Sequence, residues 1–322
     1  HTLSGKTMQR PEAKNILIIK HGAFGDIIQV EGAVHDVRLN YLAARITVMT
    51  SPPFHKIFAR CPWIDDIFLD ARPPRWRLDR MWALRRRLRA QPFDFVVDFQ
   101  NNERTAFYFN HLFPPVAWSG KVKGASHRRY TEDPKQIQGL PRFATQLRDA
   151  GLEVRHAGAP DVSWMAEDVS AILDRAGVRP GYIVLIPGCS AKHPQKRWPY
   201  YAELAGKLHA AGYQTVTVPG PDELELCWAL PSIMLTGEHY LDWFKLAGVL
   251  KGAAFVIGND TGPSHLAAHL GARGFGLFGS HLGAERTGIV TGRFGALQAE
   301  KLADLSAEEV FTQVMRKLEQ AG

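Results

Sequence analysis

Cysteine is scarce in this 322-residue chain: Cys61, Cys189 and Cys227 are the three, far apart and without a Cys-x-x-Cys pair. An odd, scattered set argues against a disulfide framework and a structural zinc, and it fits a reducing compartment. Long apolar runs are lacking too. None approaches the roughly 18 residues that a membrane-spanning helix requires, and the opening residues carry no apolar stretch of the secretory kind. Residues 1–13 read instead as a tag remnant and a loose terminus, with Met8 a native start. No cluster of His, Asp or Glu has ligand spacing, so no protein-built metal site is expected. Zinc-finger spacing and an RNP1-like aromatic motif are missing as well, which argues against nucleic acid as a partner.

What is present is enough apolar residue, 45% against 22% charged, to bury sizeable cores, and length for two domains. Strand and helix patterns alternate throughout, the signature of doubly wound α/β layers. Strands are expected near 16–20, 45–49, 64–69, 93–98 and 116–118. After a turn-rich interval over 120–134, a helix near 143–150 and a connection over 151–160, strands are expected near 182–186, 214–218, 233–235, 254–257 and 275–278. A helix near 306–319 closes the chain. The expected division is a first domain over 14–155 and a second over 156–322, with the last helix a candidate to pack back on the first.

Two strand-to-helix loops stand out. The run Ala254-Phe255-Val256-Ile257 leads into Gly258-Asn259-Asp260-Thr261-Gly262-Pro263-Ser264-His265 and a helical pattern. Pro263 suits the first helical position, and Thr261 and Ser264 can place hydroxyls among unpaired amides. Such a helix start is a ready phosphate site, with Gly258 and Gly262 allowing close approach to the backbone. His265 is expected to satisfy a local hydrogen bond. The second loop, His21-Gly22-Ala23-Phe24-Gly25-Asp26, follows the apolar run Ile16-Leu17-Ile18-Ile19 and precedes a helix over 27–39. Its Gly22-x-x-Gly25 spacing is neither the dinucleotide fingerprint nor the P-loop. Asp26 is either a stabilising helix-start carboxylate or a base aimed into a cleft.

Ligands of open parallel sheets bind beyond the carboxyl ends of strands, and further polar residues fall there. After 182–186, Ser190 can bond phosphate oxygens and Lys196 can supply positive charge for a leaving diphosphate. After 214–218, Asp222 or Glu223 can accept from ribose hydroxyls, or simply start a helix. The formal charge of +7 concentrates over 72–89, where eight arginines stand against Asp79 alone, with Trp82, Leu84 and Leu88 interleaved. That helix can meet anionic lipid or an acidic substrate, or it can pack its stripe on its own domain.

Taken together, Lys20-His21-Gly22-Ala23-Phe24-Gly25-Asp26-Ile27, Pro187-Gly188-Cys189-Ser190 with Lys196-Arg197-Trp198-Pro199, and the Gly258–Ala268 loop resemble glycosyltransferase family nine, the ADP-heptose:lipopolysaccharide heptosyltransferases. Phe93-Asp94-Phe95-Val96-Val97-Asp98-Phe99-Gln100 is similar to that family's strand ending in Asp-x-Gln. The resemblance runs from about Asn15 past Gly279. It implies the GT-B architecture, two Rossmann-like domains facing a central cleft, with acceptor bound by the first and donor by the second. It further implies inverting transfer of L-glycero-D-manno-heptose from an ADP donor to an acidic, anionic glycolipid acceptor of the lipopolysaccharide core, at the cytoplasmic face of the inner membrane. On it, Asp26 is the catalytic base. Ser190, Lys196, Asp260, Thr261, Gly262 and Pro263 hold the donor diphosphate, and Asp222 and Glu223 the nucleoside. Gly22, Gly25, Asn101, Asn102 and Arg104 face the acceptor. No cofactor is required, although Mg2+ can ride on the diphosphate. A nucleotide-sugar enzyme of other specificity, such as another transferase or an epimerase, and a non-catalytic nucleotide-binding protein are the alternatives.

Overall fold

The computed structural model describes residues 8–129, 139–190, 192–280 and 287–320. The far part of the turn-rich interval expected over 120–134, residues 1–7 of the expected loose terminus, and Ala191 lie outside them. The chain divides into two compact units, His1–Pro160 and Asp161–Gly322.

In the first unit β1 (Asn15–Ile19), α1 (Phe24–Asn40), β2 (Arg45–Thr50), α2 (His55–Arg60), β3 (Asp66–Leu69) and α3 (Leu78–Arg89) lead to β4 (Phe95–Asp98). Then come α4 (Glu103–His111), β5 (Ala117–Gly120), β6 (His127–Arg128) and α5 (Pro141–Asp149). The sheet order is β3-β2-β1-β4-β5-β6, with every pairing parallel. A parallel sheet is covered on both faces, which explains why β1 reads as an unbroken apolar run and buries Ile16 through Ile19 completely. Strand order reverses between β1 and β4. Helix α1 begins at Phe24, earlier than the pattern from Ile27 suggests, because the Asp26 carboxylate accepts the amide of Ala23 at 3.2 Å and closes the first turn. The expected connection lies along α1: the buried Asp36 carboxylate accepts the amides of Arg155, His156 and Ala157. Gly32 makes room for it, since a Cβ there would strike the His156 carbonyl.

The second unit repeats the plan with α6 (Ser170–Arg175), β7 (Ile183–Ile186), α7 (Tyr201–Ala210), β8 (Thr215–Thr217), α8 (Leu224–Trp228) and β9 (Ile233–Met234). It continues with α9 (Trp243–Gly252), β10 (Phe255–Asn259), α10 (Gly262–His269), β11 (Gly274–Phe278), β12 (Phe294–Gln298) and a closing helix, Ala307–Glu319. The order is β12-β11-β10-β7-β8-β9, again all parallel, and it reverses between β7 and β10. The closing helix buries Val310 and Val314 in this unit's own core, beside Trp198 and Leu204. Gly274, Gly276 and Gly279 spell G-x-G-x-x-G, but Gly274 and Gly276 lie inside β11, where Cβ atoms would strike Val256, Phe278 and Phe294. They serve sheet packing, not a phosphate turn.

The basic helix α3 turns Met81, Leu84 and Leu88 into the first unit's core, so its stripe packs on its own domain. Trp82 departs from the expected stripe and is 61% exposed on the outer side, with the Arg85 guanidinium 5.4 Å from its ring. Among the described residues no helix is long and apolar enough to cross a membrane.

Candidate functional site

Each sheet has a crevice where its strand order reverses, the place where doubly wound sheets bind ligands. At the first, the loops after β1 and β4 adjoin. Lys20 directly follows β1 and is buried, its Nζ donating to the Phe99 carbonyl at 3.4 Å. Burial pushes this amine down to about 8, against an opposing pull from Asp26. The His21 amide donates to Gln100 Oε1, so the Asp98-x-Gln100 strand end holds the Gly22 to Gly25 loop in place. Asp26 closes that loop. Its Oδ1 accepts from Arg142 Nη2 at 3.3 Å and the carboxylate is 40% exposed, within reach of a ligand.

The other residues expected at this crevice are committed to the scaffold. Asn102 caps α4 by accepting the Thr105 amide. Asn101, left-handed at φ 48°, accepts the Lys121 amide and donates to Gln146. Arg104 donates to the Pro73 carbonyl and to the Tyr108 hydroxyl. Asp98 is buried beneath them and accepts the amides of Gln100 and Asn101, while burial pushes its carboxyl upward.

The pattern missed a buried chain that starts in the same loop. His21 Nε2 lies 2.8 Å from Asp70 Oδ2, which also accepts the Tyr108 hydroxyl at 2.6 Å. Sequence separations of 49 and 38 residues hid it.

At the second crevice the loops after β7 and β10 adjoin. Lys196 Nζ lies 3.1 Å from Asp260 Oδ2, and His265 Nε2 is 3.7 Å from Oδ1. Burial alone would raise the Asp260 carboxyl, but His265 and the Lys196 ammonium hold it well below the usual carboxylate range. Thr261 is the N-cap of α10 and its side chain accepts no capping hydrogen bond. Gly262 is the first helical residue and Pro263 the second, one place later than the pattern suggests. The Ser264 hydroxyl does not reach for the amides; it donates to the Asn259 carbonyl at 2.6 Å. Gly258 is likewise internal, since a Cβ there would collide with Ser264 and Ile186 instead of meeting a ligand.

Asn259 is the tie that composition gave no sign of. Fully buried, it accepts from the Trp198 amide and the Tyr201 hydroxyl, and it donates to the carbonyls of Pro187 and Gly188. It thereby fixes the β7 loop, and with it Lys196, against the start of α10. Ser190 is exposed in that loop, its hydroxyl accepting the Lys192 amide at 3.3 Å. Glu223 adds the β8 loop: its Oε1 accepts the Gly220 amide, and the carboxylate lies so near Gly188 that a Cβ there would overlap it. Asp222 is exposed in the preceding turn.

The profile of Glycosyltransferase family 9 (heptosyltransferase) matches residues 81–314. Lipopolysaccharide heptosyltransferase 3 of Escherichia coli is 24% identical over 281 residues, which are 80% of this chain and 81% of that protein. The crystal structure of the glycosyl transferase family 9 protein from Veillonella parvula DSM 2008 superposes with a TM-score of 0.82 at 19% identity, covering 98% of this chain and 100% of that one. E. coli heptosyltransferase WaaC with ADP-2-deoxy-2-fluoro heptose gives 0.72 at 19% identity, over 94% of this chain and 99% of the other.

Proposed function

The chain belongs to glycosyltransferase family 9, the heptosyltransferases, and has the α/β GT-B fold; from that premise we propose that this glycosyltransferase moves a heptose from ADP-heptose to an anionic lipopolysaccharide-core acceptor, with inversion. The observation that carries the donor half is the Lys196 ammonium beside the start of α10, whose first-turn amides are claimed by no side-chain cap. A helix N-terminus with an adjacent cation is built to hold a diphosphate. WaaC was solved with an ADP-sugar analogue, which supports the same ligand here.

In the reaction, Asp26 takes the proton of the acceptor hydroxyl as its oxygen attacks the anomeric carbon, from the face opposite the diphosphate. The bond to the diphosphate breaks and ADP departs with the electron pair. Lys196 and the amides of Thr261, Gly262 and Ser264 stabilise the charge growing on it. Pro263, which has no N–H, fixes the helix start, and Ser190 adds a hydroxyl. Asp260 orients Lys196, and Glu223 or Asp222 accepts from the ribose. The acceptor lies along the Gly22 to Gly25 loop, with Asn101, Asn102 and Arg104 shaping that wall. The charge balance rests on Lys196 and the helix, so the chain requires no metal of its own; Mg2+ brought by the diphosphate would add to the same balance.

An anionic inner-membrane surface is the second partner we infer. Trp76 and Leu78 are each 75% exposed beside Trp82, amid the arginines of 72–89. Indole and aliphatic groups enter the lipid interface while the guanidinium groups meet headgroups.

The reading is tested by thermal shift with ADP, UDP, GDP, CMP and their sugars. A ligand at 100 times its Kd adds about 2.7 kcal/mol. Selective stabilisation by ADP and ADP-heptose supports it. Selectivity for UDP or GDP overturns the heptose assignment, sugar isomerisation with donor alone means an epimerase, and no response to any nucleotide favours a non-catalytic protein.

A further inference from the structure

The buried chain that begins at His21 takes no part in the transfer described above. Ile19 of β1 pairs with Met49 of β2, and Met49 with Phe68 of β3, so His21 and Asp70 come at matching places two residues further on. Ile19, Met49, Phe68 and Tyr108 belong to one core cluster, and the chain lies at its end. His21 Nε2 donates to Asp70 Oδ2 at 2.8 Å and the Tyr108 hydroxyl donates to the same oxygen at 2.6 Å. Asp70 Oδ1 accepts the Arg72 amide at 2.8 Å, and Arg104 Nη1 supports the Tyr108 hydroxyl at 3.3 Å. His21 and Asp70 are each 1% exposed. Burial alone would raise the Asp70 carboxyl, but the hydrogen bonds from His21 and Tyr108 hold it below the usual carboxylate range, so Oδ2 is an anionic acceptor. His21 Nδ1 is buried with no hydrogen-bond partner among the described residues, so the chain uses one ring nitrogen only.

Stability does not account for this arrangement. A buried ion costs heavily in lost hydration, and apolar side chains of similar volume often fill such a place as well or better. What donors from three separate segments supply is direction. His21 is held on its backbone side too, since its amide donates to Gln100 Oε1 at 3.0 Å, and Gly22 beside it lies against the Phe54 ring with no room for a Cβ. Only Gly22 and Ala23 separate His21 from α1. Ala23 is tied at both ends, its amide donating to Asp26 Oδ2 and its carbonyl accepting from the Ile27 amide. A turn of the His21 ring is therefore passed to Asp26 with little slack.

We propose that His21 and Asp70 are positioning residues for the transfer: the buried bond from Nε2–H to the carboxylate sets the Gly22 to Gly25 loop and thereby the place of the Asp26 carboxylate. That Asp26 is the base rests on the transferase reading; that the pair sets the loop does not. A displacement of about 1 Å at a reacting group can cost about 10²-fold in rate, so the pair acts on kcat while touching no substrate.

The test compares His21→Gln with His21→Asn in the full chain. Gln places an amide nitrogen where Nε2 stands and Asn places one where Nδ1 stands, so the first keeps the donor to Asp70 and the second loses it. Hydrogen exchange over residues 22–27 should be about tenfold faster in His21→Asn and close to wild type in His21→Gln. In heptose transfer from ADP-heptose, kcat should fall about 10–100-fold in His21→Asn and be largely restored in His21→Gln, with ADP affinity unchanged. Added to Asp26→Asn, His21→Asn should cost nothing further, because an absent base cannot be misplaced. A second loss of the same size would make the pair general scaffold and overturn the proposal, as would wild-type loop exchange in His21→Asn or wild-type turnover by it. Should His21→Asn fail to fold, Asp70→Asn, a weaker acceptor of nearly the same shape, carries the same comparison. A wild type that transfers no heptose, or an Asp26→Asn with undiminished turnover, overturns the transferase reading or its base instead, and loop exchange alone then decides for or against the pair.

Discussion

Lys196 and Asp260 meet where the second sheet reverses its order, Nζ 3.1 Å from Oδ2, so the lysine is already oriented before a nucleotide arrives. A preoriented cation costs little reorganisation when charge develops on a leaving diphosphate. Lys196→Met should therefore lower kcat by about 10²–10³ and weaken ADP, the range seen when one such group is removed. Steady-state kinetics with ADP titration measures both, and undiminished turnover would exclude the lysine from the reaction.

Asp26 is predicted to separate chemistry from donor binding. It stands in the first unit, whereas Lys196 and the start of α10 stand in the second. Asp26→Asn keeps the size of the side chain and an oxygen for the Ala23 amide. It should bind ADP like wild type while kcat falls by about 10²–10⁴, the usual contribution of a general base. An equal fall in ADP affinity would make Asp26 structural.

The positions of Asp26 and Lys196, beyond the strands where each sheet reverses its order, were legible because each follows an unbroken apolar strand and a glycine, signals contained within about ten residues. What escaped depends on distance along the chain. Arg142 reaches Asp26 across 116 residues, and Asn259 reaches Trp198 across 61. No local pattern encodes such pairs. The strand β6 escaped because it is two residues long, His127–Arg128, and β12 because Phe294-Gly295-Ala296-Leu297-Gln298 carries glycine and a half-exposed face. Trp82 was misplaced for another reason: with apolar residues on several sides of α3, the helical period alone cannot say which of them faces the core.

Asn259 should prove more important to the second unit than its single amide suggests. Asn259→Ala leaves the Trp198 amide, the Tyr201 hydroxyl and two carbonyls buried without this partner. Each such orphan costs about 1–3 kcal/mol, so a loss of roughly 2–4 kcal/mol is expected after relaxation. Denaturant unfolding reads it. The same variant should weaken ADP, because the β7 loop is no longer tied to α10; unchanged stability would refute this account of the loop.

Membrane contact through α3 predicts an effect confined to lipid. Replacing Trp76 and Trp82 together by Ser should abolish flotation with anionic vesicles of phosphatidylglycerol while leaving melting temperature and ADP binding unaltered, since both side chains are mostly exposed. Wild-type binding should fall as salt rises, because screening shortens the reach of the arginines to about 10 Å at 0.1 M. Vesicle binding that ignores both salt and the tryptophans would place the contact elsewhere.

His269 sets a pH limit on stability. It is buried on α10, its Nε2 2.8 Å from the Gly288 carbonyl, and burial pushes its imidazole down to about 4. In the unfolded chain the same ring titrates near 6.5. Between those two values the unfolded chain takes up a proton that the folded one refuses, so stability falls as pH falls; above about pH 7 both states are neutral and nothing is lost. The full difference is worth about 3 kcal/mol, of which roughly 2 should be spent by pH 5. His269→Gln retains a donor for Gly288 and does not titrate. Urea unfolding at pH 7 and pH 5 should show wild type losing more stability than this variant by that amount, and parallel losses in the two proteins would assign the acid sensitivity to other groups.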